Sequence, residues 1–330
     1  MIKDNKESML HYDSYQSDSL SETERSKQIR EYICASTAEN TRKTYRSAII
    51  QFERWGGRLP ATKDMLIKYI LGKANHLCPS TLSLHMTAIS QWHCYQNIPD
   101  PCSDPTIKKI MIGIRRKHGR PSIKAKPLTV TNMMSFINNL LSKEKNIKTI
   151  RDMALLQVAF FGAFRRSELV NIQFEDISWT EKGVTINITR SKTDQEGHGS
   201  ARAIPFGNPP ICPVTALREW IMASNLNEGP VFRAINRWNH LESAPLHPSS
   251  INIFIKNIAK ECGINPKQIS SHSFRRGFST AAASENIKFS LIKKQGGWKN
   301  DSTVHGYIEE GCQFSENAAG ELMKIINTNY

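Results

Sequence analysis

Residues 162–169 read Gly-Ala-Phe-Arg-Arg-Ser-Glu-Leu, and they follow a strongly apolar helical pattern over Thr149–Phe164. Two arginines and a glutamate are therefore expected at the end of a buried helix. Burying such charges unpaired costs free energy, and Arg165 and Glu168 have the three-residue spacing of an ion pair on one helical turn. Taken alone, the stretch predicts a structural ion pair.

Two further charged motifs lie downstream. Arg190-Ser-Lys-Thr193 follows an alternating strand pattern, so Lys192 is expected at the start of a hairpin tip, where a lone lysine is usually solvated. His272-Ser-Phe-Arg-Arg-Gly277 occupies a predicted helix start, where backbone N–H groups favour an anion. His272 and Arg275 are three residues apart and could face one site, or be a capping histidine and a surface arginine.

The last motif is Gly-Gly-Trp-Lys-Asn over residues 296–300, followed by Tyr307 nine residues after Trp298. A tyrosine in an apolar helix is usually a core residue. The combined motifs nevertheless suit phosphoryl transfer, which needs a nucleophile, a base, an acid and cations for the transition-state charge. No acidic metal cluster is evident in the sequence, so arginine and lysine are expected to meet that charge.

These motifs resemble those of the tyrosine recombinase, or phage integrase, family, and most of all its Cre-like branch, from about residue 30 onward. The resemblance implies a site-specific enzyme that cuts and rejoins DNA for integration, excision or resolution of a mobile element or plasmid. It needs no ATP, metal or other cofactor. The implied catalytic residues are Arg165, Glu168, Lys192, His272, Arg275, Trp298 and Tyr307.

In the implied mechanism, Tyr307 attacks the scissile phosphate, forms a 3′-phosphotyrosine and releases a 5′-hydroxyl. Arg165 and Arg275 hold the non-bridging oxygens, and Lys192 protonates the leaving oxygen. His272 assists deprotonation of the tyrosine, whose reference pKa is about 10. Trp298 packs at the site and Glu168 braces the arginine and histidine groups. Arg166 and Arg276 adjoin the two assigned arginines, so an exchange of neighbours is the main alternative assignment.

The charge distribution favours a nucleic-acid partner. The net charge is +14, and residues 31–126 contribute 16 basic and 6 acidic side chains. Such concentration indicates a polyanionic partner, although a solvated surface is the alternative. The candidate DNA contacts are Arg42, Lys43, Arg46, Arg115, Arg116, Lys117 and Arg120.

The predicted fold is mainly α with a small β-hairpin or sheet in the C-terminal domain, an α+β arrangement. Composition and periodicity predict a flexible leader over 1–20, a helical domain over 21–118, a basic linker over 119–127 and a mixed domain over 128–330. Ser36–Glu39 fits a capping box for the helix that follows. The predicted strands cover 184–189 and 201–206. The resemblance identifies the first domain as a SAM-like core-binding domain and the second as the catalytic domain.

The family also implies double-stranded DNA at a specific inverted-repeat site and a homotetramer on two such sites. A predicted C-terminal helix, Ser315–Ile326, either docks into a neighbouring subunit or folds back on its own domain. Seven scattered cysteines without a C-x-x-C pair indicate reduced thiols, and neither a membrane span nor a secretory signal is expected, so a cytoplasmic location is predicted. Two other functions remain: a type IB topoisomerase, or a sequence-specific DNA-binding protein that has lost catalysis.

Overall fold

The computed structural model describes residues 22–121, 124–189, 199–311 and 317–329. The chain divides into two compact units, with the boundary after Pro121. The first is helical and the second combines helices with two small antiparallel sheets, which confirms the predicted fold class. No described helix has the length and apolar character required to cross a bilayer.

The first unit contains five helices among its described residues: α1 (Glu22–Ala35), α2 (Glu39–Arg54), α3 (Lys63–Lys73), α4 (Pro79–Tyr95) and α5 (Pro105–His118). Their core includes Phe52, Leu66 and Tyr69. The predicted capping box is wrong, because α2 begins after Ala38 without a side-chain cap. The backbone N–H of Ser36 donates to the Tyr32 carbonyl, so Ser36 belongs to the end of α1 instead.

The second unit begins with α6 (Val130–Leu141), α7 (Ile147–Phe161) and α8 (Arg166–Val170), and then forms a three-stranded antiparallel sheet from β1 (Ile177–Thr180), β2 (Gly183–Ile188) and β3 (Ser200–Pro205). The remaining elements are α9 (Pro213–Ser224), β4 (Arg233–Ile235), β5 (Leu241–Pro245), α10 (Pro248–Glu261), α11 (His272–Ser284), α12 (Phe289–Gly296), α13 (Asp301–Gly311) and α14 (Ala318–Asn329). The two predicted strands are confirmed to within one residue. The strands β1, β4 and β5 were not predicted because each is short and only partly buried.

Helix α7 is the centre of the large core, and its residues 154–160 are all buried. It ends at Phe161 rather than at Phe164, because Gly162 and Ala163 form a turn in which Ala163 has a φ of 46°. Arg165 therefore does not lie at the end of this helix. It is the residue immediately before α8.

The segment before α6 is fastened to the start of α11. The backbone N–H of Leu128 donates to the Ser273 carbonyl at 3.0 Å, and Arg276 donates from its side chain to the Ala125 carbonyl. Gly277 lies where the two backbones approach most closely, since a Cβ added there would be 2.1 Å from the Leu128 carbonyl oxygen. This contact fixes the position of α11, the helix that begins with the His-x-x-Arg motif.

Gly277→Ala is expected to destabilise the second unit by about 1–3 kcal/mol, because the added methyl overlaps backbone that cannot move independently. Thermal unfolding followed by circular dichroism measures the effect. Gly306→Ala is the matched control, since Gly306 lies in a helix with no atom within 4 Å of an added Cβ. That change should stabilise the helix by about 0.5–1 kcal/mol. Equal melting temperatures for the two variants would contradict this account.

Candidate active site

Glu168 organises the turn that carries the first arginine motif. Its side chain is 1% exposed and accepts a hydrogen bond from the backbone N–H of Arg165 at 2.9 Å. Its other carboxylate oxygen pairs with Arg165 Nη1 at 2.5 Å. One buried carboxylate thus sets both the backbone and the guanidinium of Arg165. The Arg165 side chain remains 18% exposed, which leaves part of it accessible from solvent.

Arg275 lies in the interior and joins two turns. Its guanidinium donates to the Ala163 carbonyl and, at 2.9 Å, to the Gly296 carbonyl. Ala163, whose carbonyl accepts this hydrogen bond, is also the residue with a positive φ. Arg275 Nη1 also lies 3.9 Å from a Glu168 carboxylate oxygen, so the two arginines share one counter-ion.

The two residues before Trp298 are glycines, and each position requires glycine for a different structural reason. A Cβ on Gly296 would lie 1.6 Å from the indole ring, so the ring occupies the space of the missing side chain. Gly297 ends α12 in the left-handed conformation, with a φ of 61°, which favours glycine. The resulting turn brings the Trp298 ring over Arg275, whose Cζ is 4.5 Å from the ring centroid.

Trp298 also connects the arginine pair to Tyr307. The Trp298 and Tyr307 ring centroids are 5.7 Å apart, and Tyr307 is partly buried in a small apolar cluster with Val304 and Ile292. Helix α13, which carries the tyrosine, is held to α12 by a Lys293–Asp301 ion pair at 2.5 Å. The structure therefore places Arg165, Glu168, Arg275, Trp298 and Tyr307 in one continuous neighbourhood.

The remaining predicted residues are placed differently. His272 is exposed at the first position of α11, one turn before Arg275. Lys192 lies outside the described residues. Burial separates Arg165 from Arg166, which is exposed. Arg275 and Arg276 are both buried, and contacts separate them, because Arg276 donates to the Ala125 carbonyl whereas Arg275 lies near Glu168. This geometry favours Arg165 and Arg275 over their neighbours.

One residue near the site was not predicted. Arg202 on β3 is only 3% exposed, and its guanidinium lies beside Gly297. The burial pattern of β3 alternates, with Arg202 and Ile204 facing inward. An arginine in the inward register of an alternating strand is the sequence signal that could have identified it.

The positive charges affect one another. Burial, followed by the charge of Arg165, lowers the pKa of Arg275 to about 10, so it remains protonated near neutral pH. Burial also lowers the pKa of Arg202, an effect that the Glu168 carboxylate opposes. Within the described ranges, no group of three His, Cys, Asp or Glu side chains is arranged to hold a metal ion.

The candidate DNA contacts are in the first unit. Arg42, Lys43 and Arg46 are exposed on α2, where Lys43 pairs with Glu39 at 2.6 Å and Arg42 donates to the Thr37 carbonyl. Arg115, Arg116 and Lys117 are exposed in the last turn of α5, and Arg120 is exposed shortly after it. Basic residues at a helix C-terminus also stabilise the helix dipole, so exposure alone does not assign them to DNA.

The chain shares its fold with solved structures of a recombinase and an integrase. The chain aligns with a XerH site-specific recombinase bound to a palindromic difH substrate at a TM-score of 0.64, with 17% identity over 84% of this chain and 78% of that one. It aligns with the Tn1549 transposon integrase, in complex with transposon right end DNA, at a TM-score of 0.62, with 14% identity over 92% of this chain and 98% of that one. The fold is therefore that of the tyrosine recombinase class.

Sequence comparison gives the family. The phage integrase family model matches residues 127–312. An integrase/recombinase XerD homologue from Selenomonas ruminantium is 35% identical over 87% of this chain and 86% of its own length. The Cre recombinase of Escherichia phage P1 is 26% identical over 76% of each chain. The chain belongs to the phage integrase family of tyrosine recombinases, which are DNA strand-transferring enzymes.

Glu168→Ala is expected to lower the free energy of unfolding of the second unit by about 3–5 kcal/mol, since it leaves two guanidinium groups without their shared counter-ion. Glu168→Gln should cost less, because its amide oxygen still accepts from the Arg165 backbone. Urea denaturation measures both. Glu181→Ala, at an exposed position, is the control and should change stability by less than about 0.5 kcal/mol. A Glu168→Ala protein as stable as the control would contradict the bracing role.

Proposed function

We propose that this protein is a site-specific recombinase that cuts and rejoins DNA through a 3′-phosphotyrosine on Tyr307. The observation that carries the proposal is the convergence of Arg165 and Arg275 on Glu168, with Trp298 contacting both Arg275 and Tyr307. Two cations that share one carboxylate leave one unbalanced positive charge, which suits a bound phosphate diester.

The roles follow from this placement. Arg165 presents the more accessible guanidinium, and Arg275 supplies a second one from beneath the Trp298 ring. Tyr307 is the nucleophile, and the exposed His272 assists its deprotonation from the N-terminus of α11. Lys192 protonates the leaving 5′-oxygen. The phosphotyrosine retains the energy of the broken bond, so a partner strand's 5′-hydroxyl can reseal the DNA without ATP.

Double-stranded DNA with inverted repeats is the proposed substrate. The XerH structure contains a palindromic substrate, and the basic residues of α2 and α5 in this chain are exposed. Phosphate contacts position such a protein on the duplex, whereas base contacts select the site. We place the reaction in the cytoplasm, consistent with the free cysteines among the described residues.

The C-terminal helix α14 is the proposed contact between copies in a homotetramer on two DNA sites. Its apolar residues are exposed in the single chain: Leu322 at 57%, Met323 at 62%, Ile325 at 58% and Ile326 at 46%. A helix that packed on its own unit would bury such a stripe, so the exposure favours docking into a neighbouring copy. The helix begins at Ala318 and ends at Asn329, three residues later at each end than the pattern predicted.

Tyr307→Phe should retain DNA binding and lose the covalent adduct, because the phenol oxygen is the attacking atom. The unaltered protein is first mixed with sheared genomic DNA from the host and then denatured, and the DNA that stays covalently attached is sequenced to identify the site. A nicked suicide duplex of that sequence then reports adduct formation. Tyr32→Phe, at an exposed tyrosine on α1, is the control and should form the adduct normally. Cleavage that persists in Tyr307→Phe would show that another residue is the nucleophile.

The same material separates the two other functions. Tight binding without any adduct in the unaltered protein would favour a DNA-binding protein that has lost catalysis. Relaxation of supercoiled plasmids that lack the site would favour a type IB topoisomerase. Strand exchange between two duplexes that carry the site supports the recombinase.

Binding should weaken steeply with salt, because each neutralised phosphate releases counter-ions. Replacing Arg115 and Arg116 with Gln should reduce the slope of log affinity against log salt by about two units, if each contacts one phosphate. Lys143→Gln with Lys145→Gln is the control, since these lysines pair with Glu261 and Glu219. An unchanged slope in the arginine variant would assign those residues to helix stabilisation alone.

A further inference from the structure

Arg202 is a buried cation with few hydrogen-bond partners among the described residues. It lies at an inward position of β3, paired in register with the buried Ile186 of β2. Within the part of the chain that the structure describes, its Nε is buried without a hydrogen-bond partner. The contact from Nη1 to the Ala201 carbonyl is long, at 3.4 Å. An unsatisfied buried donor costs free energy, and more so in a charged group, so its presence requires an explanation.

The guanidinium of Arg202 packs against the turn that positions Trp298. A Cβ on Gly297 would be only 1.9 Å from Arg202 Nη2, so the guanidinium lies directly against the Gly297 backbone. A second side chain ties the same strand to the same helix, because Gln295 donates to the Ala203 carbonyl on β3 and to the Phe161 carbonyl at the end of α7. These contacts therefore fix the position of the Gly297–Trp298 turn relative to strand β3.

The charge of Arg202 also interacts with the charges of Glu168, Arg165 and Arg275. The Glu168 carboxylate stabilises its charged form, and Arg165 and Arg275 oppose it. Arg165 and Arg275 lie against the Glu168 carboxylate and Arg202 interacts with it electrostatically, which leaves two positive charges unbalanced among these four residues. A bound phosphate diester would provide the missing negative charge.

A purely structural role explains Arg202 poorly. The other inward side chains of β2 and β3 are Val184, Ile186, Ile188 and Ile204, and a similar apolar residue would fill this position without losing hydration. Replacing a buried charge by a well-packed apolar side chain is often neutral or stabilising. The cost of desolvating Arg202 is therefore offset by something other than packing.

We propose that Arg202 is a positioning residue for strand cleavage, which adds a third positive charge behind the phosphate site and supports the Gly297–Trp298 turn. Because it is 3% exposed, it acts through Arg165, Arg275 and Trp298 rather than by touching the DNA. The strand that carries it starts at Ser200, just after the segment that contains Lys192. This inference rests on the proposed recombinase function.

Arg202→Met tests the charge while keeping a long side chain. The rate of adduct formation at saturating protein is measured on two nicked duplexes, one with an ordinary scissile phosphate and one with a neutral methylphosphonate there. We expect the rate on the phosphate to fall about 100-fold, as for loss of one transition-state donor. The fall on the methylphosphonate should be at least about tenfold smaller, because replacing a charged oxygen by a methyl group removes one negative charge from both the ground state and the transition state. The affinity for DNA should stay within about threefold, since Arg202 touches no phosphate.

Arg202→Lys provides a second test that does not depend on the folding of the methionine variant. It keeps the charge near neutral pH, so its cleavage rate should lie within about tenfold of the unaltered protein. Burial beside Arg165 and Arg275 should lower the pKa of the introduced amine, with Glu168 opposing that shift. Relative to the unaltered protein, its rate should therefore fall as pH rises from about 7 to about 9, as the amine loses its proton.

Arg151→Met is the control for losing a buried arginine elsewhere in the unit, where Arg151 pairs with Asp152 at 2.7 Å. It should reduce stability and leave the ratio of the two substrate rates unchanged. An equal loss on both duplexes for Arg202→Met, or a pH profile for Arg202→Lys parallel to that of the unaltered protein, would overturn the proposal. If the unaltered protein forms no adduct at all, the recombinase function fails first, and the two failures are thereby distinguished.

Discussion

The second unit depends on one buried guanidinium. Arg275 is 1% exposed, and it joins the turn after α7, through Ala163, to the end of α12, through Gly296. These contacts come from segments far apart in the chain, so none can form until the helices have packed. Burying an arginine costs least when its donors and charge are met, and for Arg275 two carbonyls and Glu168 meet them.

Small residues make that arrangement sterically possible. Gly296 leaves room for the Trp298 ring, Gly297 allows the left-handed turn, and Gly277 admits the backbone of Leu128. Each glycine allows a close contact with a different neighbour, and together these contacts position α11 and α12 around Arg275. The local backbone therefore determines where Trp298 and Tyr307 lie relative to the arginines. The site is therefore a preorganised set of cations held in place by the surrounding helices and turns.

Much of the site could be predicted because the motifs contain their own local geometry. The spacing of Arg165 and Glu168 gave their ion pair, and the predicted start of a helix at the His-x-x-Arg motif is confirmed by α11. Arg202 was missed because its strand was read for its apolar alternation, and the signal lies in the one charged residue that breaks it. Helix α7 ends three residues earlier than the pattern predicts, because the chain turns at Gly162 and Ala163, and the Ala163 carbonyl accepts from the distant Arg275, a contact that the local pattern does not contain.

The sequence by itself determined the fold class, the family motifs and the concentration of positive charge, because periodicity, spacing and composition are local properties of the chain. It could not determine which arginine of each adjacent pair lies near Glu168. That choice depends on which side of a helix meets Glu168 and which meets the segment at Ala125. Only tertiary packing sets those two faces, and so only the folded chain could bring a third arginine from β3 into the same group.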